Sequence, residues 1–272
     1  MKTKKIFEFI VQSMLILSVV FFYGCGGNGN EDPDPQMNDD ENNGNPNTLT
    51  IKSLEPGSPG MLSSMQPIFV EFDYDIVEDD EVQIAVVPYF DGDQFSDFYT
   101  WLVPVSMGKG SGGNFVTVGP GGAEVDQIAL LIRNESNTST IETFLFDADY
   151  TFTDGDDAMY VVRINPESPI TLTPDDDLDV AITYTFTGVQ DLLWLDAELY
   201  FEGGPVSEPY GIFNTSVDPA EHGPDLFGGT TLTLVSNSDE TFHVDQIRIF
   251  ASDGDDLLFE DLYDVEITWS GE

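Results

Sequence analysis

The sequence predicts an all-β protein, with two tandem β-sandwich domains behind a signal peptide and a disordered acidic linker. Three observations carry this. Short segments alternate apolar and polar residues and are separated by Gly, Pro, Asn and Asp clusters, the pattern of strands with one buried face. One ordered block of such segments recurs about 110 residues further on. No segment sustains a helical period, and the strongest helical candidate, Asp191 to Phe201, also scans as a strand partnered with Glu81 to Phe90.

Residues 1–24 read as a signal peptide. Lys2, Lys4 and Lys5 form a basic head, and an apolar run from Ile6 to Tyr23, interrupted by Glu8, Gln12 and Ser13, follows it. That run falls short of the ~20 residues a membrane helix needs, and Gly24-Cys25-Gly26-Gly27 continues it poorly. Phe22-Tyr23-Gly24-Cys25 resembles a bacterial lipobox, with Phe22 standing where Leu is usual. The resemblance implies cleavage before Cys25, a lipid on its sulfur, and anchorage in the cell envelope, the outer membrane of a Gram-negative bacterium. Cys25 is the only cysteine, which excludes an intramolecular disulfide.

Residues 25–47 form the linker. Gly26 to Asn47 contain no aromatic or β-branched residue, so they lack the apolar surface that ordering requires. Fully extended, such a stretch reaches at most ~75 Å. Its acidic character resembles the surface-export signals of lipoproteins in Bacteroidetes-type bacteria, and both faces of the outer membrane stay open.

The domains follow from comparing the chain with itself. Ile51-Lys-Ser-Leu-Glu-Pro-Gly-Ser-Pro59 aligns with Val161-Val-Arg-Ile-Asn-Pro-Glu-Ser-Pro169, and Ile68 to Tyr74 with Leu178 to Tyr184. Phe90-Asp91-Gly92 then matches Phe201-Glu202-Gly203, and Val125-Asp-Gln-Ile128 recurs as Val244-Asp-Gln-Ile247. Each copy closes on a strand-like segment, Phe144 to Phe152 and Leu258 to Trp269. Five matches in one order indicate duplication, with domains at 48–159 and 160–272. Ile68, Val70, Phe72 and Tyr74 point to one face, and Phe69, Glu71 and Asp73 to the other. Leu178, Val180, Ile182 and Tyr184 repeat this against Asp179, Ala181 and Thr183. About seven short strands per copy resemble immunoglobulin-like or fibronectin-type-III-like domains, which implies a two-sheet sandwich and no particular activity.

The chain carries 51 Asp plus Glu against 8 Lys plus Arg, a formal charge of −43. Removing residues 1–24 leaves 50 acids and 5 bases, a charge of −45. Such a surface repels phosphate backbones, so no nucleic acid is expected as a partner. With 40% apolar and 12% aromatic residues, a packed core is still affordable. Similar compositions also keep proteins soluble in salty habitats.

Catalytic sets are not evident. His222 and His243 read as surface histidines; zinc-ligand spacing and a Gly-x-Ser-x-Gly elbow do not occur. Gly108-Lys-Gly-Ser-Gly-Gly113 lacks the order of a phosphate loop and reads as a flexible hairpin loop. Calcium is the one cofactor with candidate ligands. Asp154, Asp156 and Asp157 at the domain junction, and Asp253, Asp255 and Asp256 in a hairpin, are oxygen-rich and hinged on Gly155 and Gly254. Neither run has EF-hand spacing, and solvated acidic turns are the plainer reading, with the junction cluster the better calcium candidate. Trp101, Tyr99, Phe98 and Phe95 offer a stacking platform for a glycan, against the plainer role of core aromatics.

The expected function is therefore a non-enzymatic envelope lipoprotein, a binding or spacer module for an envelope protein or polysaccharide. Alternatives are a calcium-stiffened adhesin and a carboxylate-dependent, glycan-active enzyme or its accessory part.

Overall fold

In the computed structural model the described residues are 47–271, apart from 156, 175, 207–209, 223, 224, 237 and 255. Residues 1–46 lie outside them, and with them the signal peptide, Cys25 and nearly all of the linker. Asp156 and Asp255 of the calcium candidates lie outside as well.

The first repeat is built from β1 (Thr48–Glu55), β2 (Gly60–Ser63), β3 (Ile68–Phe90), β4 (Asp93–Gln94), β5 (Phe98–Thr100), β6 (Leu102–Val118), β7 (Ala123–Asn134) and β8 (Thr140–Thr153). The second contains β9 (Ala158–Asn165), β10 (Ile170–Leu172), β11 (Asp177–Phe186), β12 (Leu193–Phe201), β13 (Gly204–Pro205), β14 (Tyr210–Phe213), β15 (Thr215–Val217), the short helix α1 (Pro219–His222), β16 (Leu226–Ser236), β17 (Phe242–Asp253) and β18 (Asp256–Trp269).

The long strand β3 serves both layers of the first sandwich. Its first part pairs with β1 and the end of β6, and its second part with β7. All eight strands therefore belong to one sheet that folds over its own core. In the second repeat the chain leaves the ladder at Thr187–Gln190, between β11 and β12. The layers there separate into a four-stranded sheet (β14-β16-β11-β9) and a six-stranded one (β10-β18-β17-β12-β13, with β15 on β12). Ile68, Val70, Phe72, Ile84 and Ile128 fill one core; Leu178, Val180, Ile182, Leu195 and Ile247 fill the other. The expected alternation thus decides which side chains are buried. Asp191 to Phe201 is indeed a strand over β12, but its partners are β13, β15 and β17 rather than Glu81 to Phe90, whose place it takes in the second sandwich.

The recurring motifs prove to be devices of the frame. Pro56 to Pro59 and Pro166 to Pro169 carry the chain from one layer to the other, with cis peptide bonds before all four prolines. The strands that follow, β2 and β10, run parallel to the last strands, β8 and β18. Val-Asp-Gln-Ile marks a β-bulge: the register shifts between Val125 and Gln127 against β8, and between Val244 and Gln246 against β18. The aspartate opposite the bulge reaches the neighbouring hairpin, where Asp126 Oδ2 accepts the Asp91 N–H and Asp245 Oδ2 accepts the Glu202 N–H, both at 2.9 Å. Those two-residue turns, Asp91-Gly92 and Glu202-Gly203, have positive φ at both positions (51° and 85°, 51° and 78°), the hairpin geometry that favours glycine. Within each bulge, on β8 and β18, an N–H is freed. Ser58 Oγ accepts it from Asp149 at 2.8 Å, and Ser168 Oγ from Glu266 at 2.7 Å.

The glycine-rich run Gly108 to Gly113 is not a hairpin loop but the middle of β6, paired with Glu71 to Ile76. Its glycines answer aromatic partners across the ladder. A Cβ at Gly112 would stand 2.8 Å from the Phe72 ring, and one at Gly110 would collide with Tyr74. The rings lie over the bare backbone, which sequence composition alone presents as a flexible stretch.

The repeats also pack on one another. Phe115, Tyr99 and Trp101 meet Val162 and Ala181. The Tyr99 ring lies against Gly229, and the Thr183 hydroxyl donates to the Met65 carbonyl at 3.1 Å. This contact corrects the expectation for β11. Ala181 and Thr183 face away from their own core, yet both are buried, at 3% and 0% exposure, because the other repeat covers them.

Candidate functional site

The predicted acid clusters are resolved residue by residue. Asp154 Oδ1 accepts the Gly121 N–H at 2.8 Å, and Asp157 Oδ1 accepts the Thr187 N–H at 2.8 Å and its hydroxyl at 3.2 Å. Asp253 accepts the N–H groups of Gln190 at 3.1 Å and Asp191 at 2.9 Å. Asp256 pairs with Asp253 at the β17–β18 turn. Asp176 belongs to the same pattern: the Thr173 N–H and hydroxyl hold its carboxyl below the usual range. Among the described residues no group of three or more His, Cys, Asp or Glu side chains is arranged to hold a metal ion. Where these carboxylates can be followed, they close turns.

The aromatic platform is relocated. Trp101 and Tyr99 sit in the contact between repeats, where Trp101 Nε1 donates to the Tyr99 hydroxyl at 3.2 Å and Trp101 meets Phe115 edge-on. Phe98 and Phe95 pack against the first core. A shallow groove beside this contact is lined by Glu55, Pro56, Pro67, Phe69, Tyr160 and Tyr263. Burial raises the pKa of both tyrosines. His243 is exposed, with Nδ1 3.0 Å from the Thr268 hydroxyl, and His222 closes α1, a helix that the strand-only reading did not include.

A surface that sequence reasoning missed lies on the outer face of β12, β17 and β18. Strand alternation turns Trp194, Asp196, Glu198 and Tyr200 away from the core, with Gln246, Arg248, Phe250 and Ser252 beside them on β17. Leu257, Glu260, Leu262 and Asp264 complete the rows on β18. Trp194 is 39% exposed, whereas Trp269 is buried in the core. Arg248 is the hub: Nη1 donates to Glu198 Oε2 at 2.8 Å, and Nη2 to Glu260 Oε2 at 2.6 Å. Its guanidinium stands 4.6 Å from the Phe250 ring centre. Burial opposes the charge on Arg248, but the bonds to Glu198 and Glu260 outweigh it and raise its pKa. Burial pushes Asp196 up, against the hydrogen bonds from the Ala197 N–H and Asn214 that pull it down.

The corresponding face of the first repeat is of another kind. Register places Ala85 where Asp196 stands, Val87 for Glu198, Ala129 for Arg248, Leu131 for Phe250 and Thr143 for Glu260. Ala85, Val87, Ala129 and Leu131 form a small buried cluster, at 3%, 2%, 0% and 4% exposure, beneath Tyr89, Phe98 and Leu102. A position-by-position comparison of the repeats carries this signal once the register is known.

No protein-family model matches the sequence, and no curated protein matches it. Among solved structures, Escherichia coli alpha-2-macroglobulin activated by porcine elastase superposes with a TM-score of 0.24 at 10% identity, covering 81% of this chain and 22% of that one. The native conformation of E. coli alpha-2-macroglobulin gives a TM-score of 0.22 at 10% identity, covering 80% and 17%. This chain thus spans about a fifth of the length of those structures.

Proposed function

We propose that the protein is a lipid-anchored envelope lipoprotein whose two sandwiches act as a non-enzymatic binding module, with the second repeat carrying the binding face. The observation behind this reading is the divergence of two otherwise equivalent faces. The frame devices recur in both repeats, so the frame does not require Asp196, Glu198, Arg248 and Glu260. Charged and aromatic groups that the frame does not require serve recognition in this reading. The contact between repeats supports a fixed presentation of that face, and the linker supplies reach. Anchorage rests on Phe22-Tyr23-Gly24-Cys25. Replacing Cys25 with Ser is expected to move the protein from the membrane fraction to the soluble envelope fraction. Retention of the variant in membranes as a full-length precursor would contradict lipid anchorage.

A further inference from the structure

We propose that the outer face of β12, β17 and β18 docks a cationic protein segment, one whose arginine side chains stack on the exposed Trp194 ring and pair with the flanking carboxylates. This deepens the binding-module reading and rests on it. The face already holds one guanidinium in that manner: Arg248 lies over Phe250 and is bracketed by Glu198 and Glu260. Around this pair, Asp196 and Asp264 bring further negative charge, and Trp194 and Leu262 remain open, at 39% and 47% exposure. A planar guanidinium suits such a surface better than an ammonium, because it stacks on a ring and forks to a carboxylate at once.

The overall charge of the chain does not explain the placement. The first repeat belongs to the same acidic chain and carries Asp147 where Asp264 stands, yet Ala85, Val87, Leu131 and Thr143 occupy the positions of Asp196, Glu198, Phe250 and Glu260. Charge complementarity selects a basic partner over a second copy, since two faces bearing Asp196, Glu198, Glu260 and Asp264 repel one another. A neutral glycan would use the ring but not the net negative charge of the face, where Asp196, Glu198, Glu260 and Asp264 outnumber Arg248.

The test uses the full mature chain at physiological ionic strength, with labelled hexa-arginine as probe and hexa-lysine as the equal-charge control. Hexa-arginine is expected to bind the more tightly. Trp194→Ala and the pair Asp196→Asn with Asp264→Asn should each weaken it by about tenfold. Neutralising as many acids on the first repeat, Glu71→Gln with Asp73→Asn, should change it less than about twofold, and thermal unfolding confirms that each variant is folded. Equal weakening by both acid pairs would overturn the proposal in favour of a general polyanion effect. Trp194-dependent binding of a neutral oligosaccharide without binding of the peptide would overturn it in favour of a glycan platform. A dimer that Trp194→Ala splits in sedimentation would overturn it in favour of self-association. None of these outcomes bears on the Cys25 test, so the two readings fail separately.

Discussion

The two repeats share a frame and differ in what they turn outward. In both, an aspartate opposite a β-bulge holds a two-residue turn, and a serine between two prolines accepts the N–H freed within the bulge. On the same sheet the first repeat buries alanine, valine and leucine, whereas the second carries a half-buried arginine between carboxylates and an exposed tryptophan. Duplicated segments that are held alike where they turn, and diverge where they face outward, separate the demands of folding from those of recognition. The recurring aspartates and serines close hydrogen bonds, whereas the residues that do not recur are buried in the first repeat and leave Trp194 and Leu262 exposed in the second.

Transplanting one face onto the other should give the largest effect. Ala129→Arg forces a cation into a position with 0% exposure and should cost about 3 kcal/mol or more in chemical denaturation. The reverse change, Arg248→Ala, removes partly exposed ion pairs and one ring contact and should cost only about 1 kcal/mol. Similar costs for both would mean that the faces are interchangeable, and the contrast would lose its meaning. A smaller and more symmetric effect is expected in the frame. Asp126→Ala and Asp245→Ala each free one backbone N–H, and each should cost about 1 kcal/mol, alike in the two repeats. A clear loss in one repeat with silence in the other would break the shared frame.

Alkaline pH should sharpen the comparison further. Burial pushes the Tyr150 phenol up to about 12, and its hydroxyl donates to the Pro56 carbonyl at 2.7 Å. The second repeat has Ile267 at that point of the ladder. The folded pKa lies above the unfolded value near 10, so the stabilisation is complete below pH 10 and lost as pH rises from 10 to about 12. Tyr150→Phe should begin with the lower melting temperature and converge on the wild type across that window. A constant gap would show that the phenol does not titrate this way.

Much of the frame was legible in the sequence because strand alternation and turn chemistry are local. Ile68 to Tyr74 and Leu178 to Tyr184 bury the side chains that their period assigns. What was not legible depends on neighbours far along the chain. Gly110 and Gly112 read as a loop because the rings they face, Tyr74 and Phe72, come from another strand. Ala181 and Thr183 read as solvent-facing because their cover comes from the other repeat. The N–H groups that Asp154, Asp157 and Asp253 accept were not legible either, since nothing in a run of acids names partners tens of residues away. The face around Arg248 was invisible until register set Glu198 and Glu260 on either side of it.

On this reading Asp154, Asp157 and Asp253 serve to close turns. Thermal unfolding of the mature protein with calcium, with chelator, and with sodium chloride at matched ionic strength tests that most directly. Carboxylates engaged by backbone N–H groups predict equal shifts with the two salts, because both screen the same repulsion. A rise specific to calcium would mean that the folded state binds the ion, since only native-state binding stabilises, and would contradict the assignment of these acids to the turns.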